Sequence, residues 1–257
     1  LSLLNTWQSP AFHTEGGALL DLNVASGSRD AIGTTYTGRG TLRKSGVGEL
    51  RWGSSTAVFD LGTGGLIDVQ GGTFVGGSNA NEDWTTNLAD LNVAAGAVFS
   101  GVEANVRVDA LSGAGTIKSG YTGAGYSHFT FGVDNGSGIF SGTLADDFAP
   151  GHFTKTGNGT QTLTGSSIHT GTTTVENGTL LVNGSLGAAS AVLVSNNATL
   201  GGTGTVGGAV TVQSGGTLSP GSNGAAALTV SSANGAGRLL VEINGSSAGR
   251  LDVTGNL

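Results

Sequence analysis

The sequence predicts an all-β chain: a single-stranded parallel β-solenoid, in which short strands stack coil upon coil. The first observation behind this is a repeated phrase. Residues 68–74 (DVQGGTF), 174–180 (TVENGTL), 193–200 (LVSNNATL) and 211–218 (TVQSGGTL) each read as a short strand with an inward Val, then a Gly or Asn turn, then a Thr-hydrophobic pair that opens the next strand. The second is spacing. In the last three copies the pair begins at Thr179, Thr199 and Thr217, steps of 20 and 18 residues, the length of a solenoid coil and too short for independent domains. The third is glycine, 49 of 257 residues with only three prolines and no collagen-like period. Interior glycine costs roughly 0.5–1 kcal/mol relative to alanine in a regular element, so the excess argues for turns and close backbone approach and against long helices.

Taken in order, the predicted strands are 18–24, 65–69, 88–93, 191–194, 209–212, 227–230 and 238–243. Most alternate Val, Leu or Ile with Thr, Asp, Asn or Ser, the period-2 pattern of a strand with one buried face. Asn-Gly, Gly-Gly and Ser-Gly pairs stand between them and tolerate the positive φ of turns. The matching strand phase from copy to copy favours parallel stacking over hairpins. Roughly a dozen coils of about 20 residues, each rising about 4.8 Å, would make a rod near 55–60 Å long. Residues 1–150 are expected to form irregular coils with longer loops, chiefly 76–87 and 120–131, and residues 151–257 regular repeat coils continuous with them.

Composition narrows the function classes. A net charge of −7 and a sequence pI near 4.8, with basic residues scattered along the chain, disfavour nucleic acid and anionic lipid as partners. No run approaches the ~20 apolar residues of a membrane-spanning helix. Without cysteine there is neither a disulfide framework nor a thiolate metal site. The absence of methionine reads as a mature or excised piece, and residues 1–4 lack the pattern of a signal peptide.

The segment 151–165 (GHFTKTGNGTQTLTG), continuing through 169–184 (HTGTTTVENGTLLVNG), resembles the autotransporter-associated β-strand repeat, also called the passenger-associated transport repeat. The blocks that carry the resemblance are Lys-Thr-Gly followed by Gly-Thr-Gln-Thr-Leu, then Thr-Gly-Thr, then Gly-Thr-Leu-Leu-Val. Residues 201–206, 215–221, 240–245 and 251–255 are similar to segments that follow this repeat in bacterial autotransporter-like surface proteins, and 38–46 and 113–120 look like degenerate starts of the same unit. One departure stands out: where the repeat carries Asn-Thr-Tyr, this chain has Ser167-Ile168-His169, so one stacked aromatic is expected to be missing. No membrane-barrel segment is read after Leu257. The resemblance implies a right-handed parallel β-helix in a secreted or surface-displayed bacterial protein, with no catalytic residue; no cofactor is expected.

Candidate chemistry is weighed against that reading. Asp146-Asp147 followed by Gly151-His152 has some likeness to the paired acids of glycosidases. The further Asp and the Arg-x-Lys element of such enzymes are absent, so the expectation is no enzyme. Glu82-Asp83-Trp84 is a binding candidate, an aromatic face beside two carboxylates that would suit a sugar ring, against a Trp folded back over the apolar stack. Convergence of Trp84 with Tyr121 or Tyr126 on one face would favour sugar binding. Trp7 and Trp52 are read as core or cap residues. His13, His128, His152 and His169 have no metal-ligand spacing, and Asp68 lies at the wrong offset for a calcium-binding β-roll. The expected function is a non-catalytic stalk or adhesive passenger segment, with a carbohydrate-binding or polysaccharide-degrading β-helix as the alternative. Expected partners are a cell-surface or glycan receptor, flanking domains of the same polypeptide and further copies of the chain.

Overall fold

The computed structural model describes residues 11–52, 57–77, 84–123, 125–221, 226–244 and 246–255. It is an all-β solenoid of about ten turns, with no helix among these residues. Each turn has three sides. Side II is the most regular, an eleven-stranded sheet running from Leu19–Asn23 through Thr41–Ser45, Leu66–Val69, Asp90–Val93, Leu111–Gly113, Gly138–Phe140, Thr160–Leu163, Gly178–Val182, Ala198–Gly202 and Thr217–Pro220 to Arg238–Leu239. It crosses residue 150 without a break, Gly138–Phe140 pairing with Thr160–Leu163.

Side I carries Phe12–Thr14, Tyr36–Gly38 and Phe59–Leu61, then Val106–Val108, His128–Phe131, His152–Lys155, Thr173–Val175 and Val192–Val194. Side III carries Arg29–Ile32, Glu49–Trp52, Thr73–Val75, Val98–Ser100, Thr116–Ser119 and Thr143–Asp146. Toward the C-terminus the corner between sides III and I opens out. Thr205–Val212 pairs with Ser185–Leu186 at its start and with Val192–Val194 at its end, and its register to the next strand shifts between Val206 and Ala209, an irregularity that falls at Gly207-Gly208.

Strand pairing is parallel throughout the stack. Ile243–Asn244 is the exception, pairing antiparallel with Ser247–Val253. The predicted half-buried strand at 238–243 is therefore split, and Leu239, Leu240, Val241 and Ile243 are exposed.

The interior is continuous from end to end. Its lower half is aromatic: Phe12, Tyr36, Trp52, Phe59, Phe74, Trp84, Phe99, Phe129 and Phe153 form an unbroken chain of ring contacts, mostly edge-to-face or tilted. Such pairs add about 0.5–1.5 kcal/mol beyond area burial. Above Phe153 the filling is aliphatic. Leu180, Leu200 and Leu218 are register partners in successive coils and are buried in one column. Glycine shapes one corner. A Cβ on Gly142, Gly165, Gly184 or Gly204 would lie 1.9–2.1 Å from the carbonyl oxygen of the glycine one coil below, so only glycine permits these coils to close up.

Coil length varies from 18 residues, between the partners Leu200 and Leu218, to 27, between Gly113 and Phe140. The repeat step of 18–20 therefore does not hold over the first half. Fewer coils result, and the stack is about 48 Å long rather than 55–60 Å, at about 4.8 Å per coil.

Candidate functional site

Of the expected binding residues, Trp84 is placed apart from Tyr121 and Tyr126. Trp84 is 1% exposed, stacks on Phe59 with ring centroids 4.0 Å apart, meets Phe99 edge-on and donates its indole N–H to Gly76 O at 3.0 Å. Its ring faces the core, folded back over the apolar stack, and offers no free face to a sugar. Glu82 and Asp83 lie outside the described residues. Tyr121 is half-buried on the outer surface, 6.5 Å edge-on from Phe148, and its hydroxyl is hydrogen-bonded to Glu103, which raises the phenol pKa. Tyr126 is half-buried farther along the same loop. Trp84 therefore shares no face with either tyrosine. Trp52 is a core residue, its indole donating to Thr34 O at 2.8 Å, and Trp7 lies outside the described residues.

The paired acids have separate structural tasks. Burial opposes ionisation of Asp146, yet hydrogen bonds from Gly151 N and from Thr170 N and Oγ1 more than offset it and hold the carboxyl below its ordinary range. A carboxylate so satisfied ties two coils together and is a poor proton donor. Asp147 accepts instead from Ser100 Oγ.

Two of the histidines form a stacked pair that their spacing conceals. His128 and His152 are partners in adjacent side I strands, their rings stacked 5.2 Å apart. Thr172 N donates to His152 Nδ1 at 3.0 Å, which places the neutral ring's proton on Nε2 and leaves no free lone pair for a metal. His169 is fully buried, 4.6 Å from Phe153, with Nε2 2.9 Å from both Thr173 Oγ1 and Ser190 Oγ. The aromatic expected to be missing at this coil is thus replaced: the imidazole fills the slot and binds two hydroxyls that Phe could not. Burial pushes its pKa down to about 4, against the opposing pull of Asp146. Ser190 touches His169 as a nucleophile would touch its base, but both are sealed from solvent, so no substrate reaches the pair.

Sequence reading missed the buried polar groups that hold the coils. Lys44 is buried and donates to Gly46 O and Gly71 O, both at 2.7 Å. Lys155 does the same for Thr156 O, Gly157 O and, at 3.4 Å, Asn177 O; burial lowers its pKa to about 8. Each ammonium gathers turn carbonyls of its own coil and the next, which gives the Lys-Thr-Gly and Lys-Ser-Gly signatures at these turns a physical reason. Gln161 donates to and accepts from the backbone of Leu111 at 3.0 Å, two coils away, reaching past Gly138, where a side chain would collide. Outside, Asp68 accepts from Arg43, Gln70 and Asn92 in a polar ladder along side II. No set of three or more metal-ligating side chains occurs among the described residues.

Residues 153–182, which span the Lys155 cage, the His169 slot and the strand carrying Leu180, match the passenger-associated-transport-repeat family. Together with the β-solenoid, this match is consistent with autotransporter passenger repeats. No curated protein and no solved structure gave a significant match.

Proposed function

We propose that this chain is a structural segment of a bacterial autotransporter passenger, a rod that is secreted or displayed at the cell surface and holds neighbouring domains or contact surfaces away from the membrane. The observation that supports this best is the repeat at 153–182 lying within an uninterrupted parallel ladder. Each coil is built to accept another on its open edge, and the side chains that resemble catalytic groups are engaged between coils. The rod needs no catalytic residue for this role, and its acidic balance suits a surface facing other cells rather than nucleic acid.

Surface display is tested with antibodies against the chain on intact cells of the source organism. Labelling of unpermeabilised cells, removed by protease added outside, is expected. Labelling that appears only after permeabilisation would overturn the proposal.

A further inference from the structure

A groove on side III has the chemistry of a ligand site. Register sets Arg51, Val75, Ser100 and Lys118 in neighbouring strands. Just past Thr143–Asp146 the chain folds over this row, so that Val75 and Ser100, although outward in the strand pattern, are covered, and Ser100 Oγ donates to Asp147. Between this overhang and the Glu49–Arg51 pair runs a groove of about 180 Å³. Its floor is Val75, Val98 and Val102, and Phe148 stands at its edge.

Two features call for a ligand of particular chemistry. Phe148 is 67% exposed, its ring edge-on to Tyr121 at 6.5 Å, and so presents an apolar face to solvent. The carboxylates around it are engaged: Glu49 by Arg29 and Arg51, Asp147 by Ser100, Glu103 by the Tyr121 hydroxyl. The Lys118 ammonium, which also lines the groove, has no ion pair or hydrogen bond among the described residues. An oriented ring beside an unengaged cation complements a molecule with a C–H face and a negative charge. At about 180 Å³ the groove is smaller than the ~300–1,000 Å³ of sites that enclose a whole small molecule, which suits a single sugar ring lying on the surface.

We propose that this groove binds a saccharide bearing a carboxylate, its ring lying on Phe148, its carboxylate on Lys118 and a hydroxyl donating to Asp147. This goes beyond the rod reading and does not depend on it. Titration calorimetry with digalacturonate and sialyllactose, beside neutral digalactose and lactose, tests it on the whole chain. At least one acidic sugar should bind and its neutral counterpart should not. Lys118→Gln should weaken binding roughly tenfold or more, the loss expected for one charge-assisted contact, and Phe148→Ala roughly two- to tenfold, the loss expected for one ring contact, each with an unchanged denaturation midpoint showing that the rod is intact. Binding of neither acidic sugar, equal binding of the neutral ones, undiminished binding in Lys118→Gln, or equal binding of triglutamate would each overturn it.

Discussion

His169 shows how a single residue can be misread when its partners lie a coil away. Its sequence neighbours suggest a lost aromatic, because Ser190, 21 residues on, carries no mark of being beside it. In the stack the imidazole packs on Phe153 and is held neutral by burial. Its folded pKa of about 4 lies below the ordinary value of 6.5. Between those values the unfolded chain binds more protons, so the stability His169 contributes is complete above about pH 6.5 and is lost as pH falls toward 4. The full loss is about 3 kcal/mol at 1.36 kcal/mol per pKa unit. Denaturant midpoints measured from pH 7 to pH 4 should fall less steeply in His169→Phe than in the parent, since Thr173 and Ser190 still satisfy each other at 3.0 Å. An unchanged slope would show that another group carries the acid sensitivity. Lys44 and Lys155 were equally hidden, because a lysine read singly is a surface charge, and only the stacked turns supply the carbonyls that bury it.

At the scale of the element, the alternation of inward and outward residues was legible wherever coils keep the repeat length. The Thr-Leu phrase places Leu180, Leu200 and Leu218 in register, as the structure does. Leu200→Ala should cost about 2–5 kcal/mol through lost transfer energy and the cavity left behind. Gln213→Ala, at an exposed turn, should cost less than about 0.5 kcal/mol. Denaturant midpoints decide between them, and equal stability would mean that the column is misplaced. Local pattern fails where an element depends on distant segments. The groove on side III joins residues from Glu49 to Phe148, and residues 238–243 look like one ordinary strand, although only Arg238–Leu239 joins the side II sheet and Ile243–Asn244 pairs back on Ser247–Val253. Trp84 fails for the same reason: its polar neighbours in sequence suggest exposure, while Phe59 and Phe99, one coil to either side, bury it.

The whole molecule is a stack of parallel coils, each resting on the last, which glycine content and repeat spacing made legible in class though not in length. The chain has no cysteine, so spin labels can be placed at will. Asp21, Ile139 and Ser219 all point outward from side II; stepwise register puts Ile139 five coils from Asp21 and Ser219 four coils beyond it. Pulsed electron resonance on the pairs Asp21→Cys with Ile139→Cys, Ile139→Cys with Ser219→Cys, and Asp21→Cys with Ser219→Cys should give backbone separations of about 24, 19 and 43 Å, the last equal to the other two combined, at about 4.8 Å per coil. A long distance well short of that combined length would mean that the chain folds back on itself, and the solenoid would be wrong.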